Sequence, residues 1–170
     1  CHRDGVWHHT DGEERSMNYW LMKTEPATFS VDDLAASPRR TTMWDGVRNY
    51  QARNMLRDDM QKKDQAFLYH SSCATPAIVA IVEIVKTGYP DPTAFDPQDH
   101  HYDADSDRSK PRWYAVDIKL VRRLQRVITL DELRAHAATK LKDMLLLRRG
   151  NRLSITPLDV SEWKFVLTLE

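Results

Sequence analysis

Ala77-Ile-Val-Ala-Ile-Val-Glu-Ile-Val-Lys86 is the stretch on which the fold turns. The run is interrupted by Glu83 and ended by Lys86, so it falls well short of the ~18 apolar residues of a membrane span. It reads instead as a strand buried on both faces or lining a barrel wall. Upstream, Ala66 to His70 is strand-like, and Asn18-Tyr-Trp-Leu-Met-Lys23 is an aromatic, apolar first strand that stops at the turn Glu25-Pro26. Between these, Ser30-Val-Asp-Asp33 matches a capping box opening a short helix through Ala36, which Pro38 ends. From Asn49 to Met60 the apolar residues Ala52, Met55, Leu56 and Met60 share one helical face, with Arg53 and Arg57 on another side.

Downstream, Trp113 to Leu124 alternates, and Tyr114, Val116, Ile118, Leu120 and Arg122 form the set assigned to the core. Thr129-Leu-Asp-Glu132 is a second capping box, predicting a helix to about Ala138. Arg152 to Thr156 reads as a last strand before Pro157, and Ser161 to Leu169 suits a helix or a strand equally. Strands separated by short helices and long loops predict an α+β fold in which a small curled sheet closes into a barrel.

A chain of 170 residues, 41% hydrophobic and 29% charged, fits one compact domain. It buries roughly 70% of its unfolded surface and needs neither a metal nor disulfides to stay folded. Cys1 and Cys73 are too few for a disulfide scaffold, and there is no C-x-x-C pair. Residues 1–16 are polar, contain three histidines and have no apolar signal core, whereas the hydrophobic pattern starts at Met17. The expectation is a disordered tail or extension over 1–16 and one domain over 17–170.

Twenty-five Lys plus Arg balance twenty-five Asp plus Glu, which removes the general attraction of a basic domain for a polyanion. Any nucleic-acid binding must be local. The charge is nonetheless uneven: Asp91 to Asp107 holds six Asp and no Lys or Arg, and Arg112 to Arg152 holds eleven Lys or Arg against four acids, a net of +7. Solvated charged faces on strands and helices are the plainer account of such runs.

Familiar chemistries are mostly excluded. The five glycines lie too far apart for G-x-G-x-x-G or a P-loop, and no G-x-S-x-G elbow surrounds Ser71 or Ser72. Asp103-x-Asp105-x-Asp107 begins like a calcium loop, but Arg108 and Tyr114 occupy the positions that need Gly and Glu. Asp99, His100, His101 and Asp103 are adjacent groups in a polar loop, which seldom close around an ion, so no metal and no cofactor is expected.

What remains is a concentration of aromatic and hydrogen-bonding side chains just outside the strands. Trp20, Lys23, Thr24 and Glu25 end the first strand, Trp44, Asp45, Arg48, Asn49 and Tyr50 precede or open the long helix, and Tyr69, His70 and Ser71 end another strand. A planar, polar ligand suits them. A nucleobase needs an aromatic face, worth about 1–3 kcal/mol per base, and donors or acceptors at its edge. Trp44 and Tyr50 are candidates for the face, with Asn49, Ser71 and a backbone group at the edge; alternatively each aromatic is a core residue with an internal partner.

Four segments carry a resemblance: Tyr19-Trp-Leu-Met-Lys-Thr-Glu-Pro26, Thr42-Met-Trp-Asp-Gly-Val-Arg-Asn-Tyr-Gln-Ala-Arg-Asn54, Phe67-Leu-Tyr-His-Ser-Ser72 and Arg152-Leu-Ser-Ile155. Together they resemble the EVE domain family over Asn18 to Glu170. The resemblance implies a PUA-like fold, a small β-barrel flanked by short helices and related to YTH and ASCH domains, and recognition of a modified base in DNA or RNA without an established catalytic activity. It places the pocket motif on Trp20, Lys23, Trp44, Arg48, Asn49, Tyr50, Tyr69, His70 and Ser71, with Arg152 and Ser154 nearby. Thr24 stands where many relatives have Ser and keeps the hydroxyl. The acidic stretch resembles the family's Tyr-Pro-Asp-Pro-Thr and His-Tyr-Asp loop, whose charge is expected to guard or shape the pocket mouth.

The expected function is therefore a binding module in which a flipped or single-stranded modified base stacks on Trp44 or Trp20 while Arg148, Arg149 and Arg152 hold flanking phosphates. The alternatives are an enzyme using Glu25, Asp45 or His70 as acid or base, and a protein-interaction module using the basic face. The partner expected is nucleic acid rather than a membrane, in the cytoplasm for a bacterial copy and the nucleus for a eukaryotic one.

Overall fold

Fourteen residues of β4 (Ala77–Pro90) run through the middle of a six-stranded sheet, and every residue from Ala77 to Val82, with Ile84, is buried. The computed structural model describes residues 17–170; the proposed tail, 1–16, lies outside the described residues. The other strands are β1 (Tyr19–Thr24), β2 (Thr41–Trp44), β3 (Gln65–His70), β5 (Tyr114–Thr129) and β6 (Ile155–Leu158), in the order β2-β5-β4-β3-β1-β6. Among the described residues only β1 and β3 pair in parallel, and their crossover contains α1 (Val31–Ala36), β2 and α2 (Tyr50–Asn54). Further on lie α3 (Leu130–Arg134) and α4 (Val160–Leu167). The fold is α+β.

The sheet has two apolar faces. One packs Trp20, Met22, Leu68, Val82 and Ile118 with Leu34, Ala52 and Leu56 of the crossover. The other packs Leu21, Phe67, Ile78 and Ile81 with Leu133, Leu141, Trp163 and Val166 from the C-terminal third. Strand periodicity produces this division, because neighbours such as Trp20, Leu21 and Met22 point to opposite sides. At Val79 the period breaks: Leu68 pairs with Ala80 and Tyr69 with Ile78, leaving Val79 as an extra residue. That bulge sends both Val79 and Ala80 to the first face and bends the strand.

The expected barrel does not close. Among the described residues, β2 pairs with β5 and β6 pairs with β1, and the two edges do not pair with each other. Each edge strand has four residues, and β6 includes Pro157, which brings no amide hydrogen to a further partner. Pro157 therefore belongs to the last strand, where the sequence reading had stopped the strand before it.

The helices follow their caps. Ser30 and Asp33 form the full capping box of α1, and Thr129 accepts the Glu132 amide to start α3, which ends at Arg134 and continues only as turns. Asp159 and Glu162 cap α4, resolving the C-terminal segment as helix. The long helix begins where expected but widens after Asn54 into a π-helical turn, Met55–Asp59, in which the Met60 amide reaches the Met55 carbonyl at 2.9 Å. Its four apolar residues are all buried. Gly88 allows β4 to pass this turn, since a Cβ there would sit 2.4 Å from the Leu56 carbonyl oxygen.

The acidic segment is built from turns. Asp91, Asp96, Asp99, Asp103 and Asp107 each accept the amide two residues ahead, at 2.8–3.0 Å. Short acidic side chains thus organise a loop with little regular structure. Asp91 does most to anchor it. Fully buried, its carboxylate accepts from the Thr93 hydroxyl and amide, the Gly46 amide at 2.8 Å and the Arg48 guanidinium at 3.0 Å. Burial alone would push its carboxyl up, but these donors together hold it below its ordinary value of 3.8.

Two predictions follow from buried carboxylates. Asp64, 2% exposed, accepts the Trp20 indole N–H at 3.0 Å and the amides of Asn18 and Gln61. Asp64→Ala leaves a buried indole donor unpaired and should cost about 2–3 kcal/mol in urea unfolding. Asp91 has a depressed folded-state carboxyl, so its stabilisation is present above the ordinary value and is lost as pH falls through the lowered one. Melting temperature should drop from about pH 4 downward in the native protein, with a shallower slope in Asp91→Asn.

Candidate functional site

A cleft of about 600 Å³ opens where the two edges of the sheet fail to meet. Lys23, Thr24 and Ser154 line it from the β1–β6 side, Thr42, Met43 and Trp44 from β2, and Asp99, His100 and His101 from the acidic loop. The Lys23 amide donates to the Ser154 carbonyl at 2.8 Å, continuing the β1–β6 ladder to the rim. The Thr24 hydroxyl donates to the Phe29 carbonyl at 2.8 Å and fixes the turn beyond β1. Trp44 packs partly against the first core face and leaves the rest of its surface in the cleft.

The wall after Trp44 is Asp45, Gly46, Val47 and Arg48. Gly46 has φ +76°, and a Cβ there would lie 2.5 Å from the His101 ring, so only glycine fits both the turn and the contact. Arg48 lines the cleft, but its donors are occupied: besides Asp91 it reaches the His101 carbonyl at 2.7 Å and the Val47 carbonyl at 2.9 Å. It works as a clamp between two loops.

The charged groups of the cleft sit in partly dry surroundings. Burial lowers the Lys23 ammonium below its ordinary value. Asp45 moves the other way, raised by burial and then by the negative charge of Asp91. Burial disfavours both charged forms.

Of the residues expected at the site, Lys23, Thr24, Trp44, Arg48 and Ser154 come together there. The others do not line the cleft. Trp20 is 4% exposed and tied to Asp64, which removes it as a stacking platform. Tyr69 belongs to the opposite core face. Asn49 caps α2 through its side-chain oxygen, which accepts the Ala52 amide at 3.0 Å. Tyr50 is exposed and stacks on Trp113 with ring centroids 4.9 Å apart. His70 accepts the Val31 amide at Nε2, 3.1 Å away, thereby capping α1, and burial lowers its basicity in keeping with a neutral ring. Ser71 donates its amide to the Thr24 carbonyl at 2.9 Å and holds the end of β1.

Arg148, Arg149 and Arg152 are exposed and lie in the segment leading to Ser154, outside the cleft lining. Much of the remaining basic stretch is matched by acids: Arg122 pairs with Glu170, Arg123 with Asp32 and Arg126 with Glu132. Sequence reasoning missed Phe29, Thr42, Met43, Gly46 and Val47 as lining residues. Gly46 carried a signal: a lone glycine between an aromatic-acidic pair and a helix start marks a tight turn.

Comparison with known proteins places this architecture. The sequence profile described as "EVE domain" matches residues 18–169. Thymocyte nuclear protein 1 of Rattus norvegicus is 49% identical over 168 residues, covering 90% of this chain and 74% of that protein. Among solved structures, human THYN1 in complex with 5-methylcytosine containing DNA has a TM-score of 0.84 at 47% identity, covering 89% of this chain and 96% of that one. A protein from Pseudomonas syringae gives 0.82 at 46% identity, with 89% and 98% covered. With a family match over nearly all of the described residues, the chain belongs to the EVE domain family.

Proposed function

We propose that the protein is a binding module that recognises a modified base in DNA, and that the base enters the cleft between the sheet edges and stacks on Trp44. The observation that carries this reading is the cleft itself: an indole surface beside polar groups of both signs, in a space large enough for a nucleobase. The likeness to human THYN1, solved with 5-methylcytosine containing DNA, supports the ligand class. Extruding a base costs a few kcal/mol, which stacking and two or three edge hydrogen bonds offset. Lys23 and Ser154 provide donors around the base, and the Thr24 hydroxyl, whose proton goes to the Phe29 carbonyl, provides an acceptor, in place of the Asn49 and Ser71 expected from the sequence.

Flanking phosphates fall to Arg148, Arg149 and Arg152, exposed on the segment that delivers Ser154 to the rim. The zero formal charge of the chain gives modest affinity that depends on these few contacts. An enzymatic reading with His70 is weaker, because its Nε2 is engaged by the Val31 amide and the ring does not line the cleft.

Trp44→Ala should weaken binding of a 5-methylcytosine oligonucleotide by about 10- to 100-fold in fluorescence anisotropy, the loss expected for one base–aromatic stack. Equal affinity of the native protein for methylated and unmethylated strands rejects the reading. Replacing Arg148 and Arg149 together by Ala should weaken all oligonucleotides alike and flatten the salt dependence by about two phosphate contacts. A change in the methylated-to-unmethylated ratio would assign them to base readout instead.

A further inference from the structure

Asp45 has no assigned partner. It follows Trp44 directly, lies half-buried in the cleft wall, and among the described residues its carboxylate pairs with no cation and accepts from no residue but its own amide. The neighbouring guanidinium of Arg48 is spent on Asp91 and the His101 carbonyl. The charged neighbours of Asp45 are Asp91, of its own sign and the strongest of the three, then His101, which opposes it, and then Asp99, again of its own sign. Structural carboxylates in this chain look different: Asp64 and Asp91 are buried and surrounded by three or more donors each. An acceptor left open on a half-dry wall is satisfied by a donor that arrives with the ligand.

Resting on the base-binding reading above, we infer that Asp45 is the specificity-determining acceptor of the cleft, taking a hydrogen bond from the exocyclic amine of a 4-aminopyrimidine and rejecting a 4-oxo base. A carboxylate is the natural acceptor for the cytosine amino group. A thymine or uracil in the same pose presents its O4 instead, so two acceptors face each other without a proton between them. The discrimination is strong because the site's own polar group is then left unpaired. The stacked face does not contribute to it: 5-methylcytosine and thymine carry the same methyl group and differ only at the pairing edge.

Those two bases are the probe. Single-stranded oligonucleotides identical except for one central 5-methylcytosine or thymine remove any difference in pairing partner, and anisotropy titrations read the ratio of affinities. The native protein should favour 5-methylcytosine by about tenfold or more, the discrimination of one good edge contact. Asp45→Asn substitutes an amide that also donates, so the ratio should fall to near one or invert, with gain on the thymine strand. Asp45→Ala should lose the preference without that gain. Because removing this charge relieves repulsion from Asp91 and Asp99, neither variant should melt below the native protein. A native-like preference in folded Asp45→Asn overturns the inference while leaving the base reader intact. A native protein that fails to bind either strand, or whose binding ignores Trp44→Ala, overturns the base reader and this inference with it.

Discussion

The hydrogen-bond ladder that runs across the sheet stops at two edges that curl toward each other without pairing. On one edge β6 ends the order with Pro157 in its short span, and on the other β2 offers four residues to β5 alone. Bulges along β4 and β5 give the sheet the curvature that brings these edges to face one cleft. Had the ladder closed, the space between Ser154 and Trp44 would hold backbone hydrogen bonds and no ligand. The cleft is the gap between the two open edges of the sheet, lined by whatever the strand ends project into it.

Holding that gap open requires its wall to be fixed from outside. The acidic loop does so through Asp91, whose buried carboxylate gathers an amide from the Gly46 turn and the guanidinium of Arg48. Removing Asp91 would take the acceptor from the Gly46 amide and the Arg48 guanidinium together. Arg48 returns the contact by reaching the His101 carbonyl, and the His101 ring closes over Gly46 at a distance no side chain at that position would tolerate. The acidic stretch is therefore an internal fastening as much as a charged surface. Five of its six aspartates spend an oxygen on their own turn.

Sequence periodicity exposed the parts of this structure whose energetics are local. The doubly buried run of β4, the capping box at Ser30 and the apolar face of Ala52, Met55, Leu56 and Met60 all stand where the pattern put them. Long-range choices were not visible. Whether an edge closes depends on curvature accumulated through bulges, and the extra residue at Val79 lies in an unbroken apolar run with no mark of its own. β2 was missed because four residues, Thr41 to Trp44, are too few to show alternation. The site residues divide the same way. Trp20 and Trp44 are indistinguishable as letters; Trp20 is a core residue because β1 turns it to the first face and the remote Asp64, 44 positions away, accepts its indole N–H. His70 and Asn49 carry side chains suited to chemistry and are consumed as helix caps.

The residues that the scaffold leaves uncommitted are then the informative ones. Lys23 and Asp45 sit on opposite walls of the cleft, and burial disfavours the charge on each, pulling the ammonium down and the carboxyl up. A fold concerned only with stability would pair such groups or expose them, as it pairs Arg126 with Glu132. Here Arg48 is spent on Asp91 and the His101 carbonyl, so among the described residues a donor and an acceptor remain unpaired around one indole. On the proposed reading, a flat heterocycle with an amine and a carbonyl on its pairing edge would relieve both at once, and the hydrogen bonds of Asp91 and Arg48 that fix the wall would leave little ordering to be done on binding.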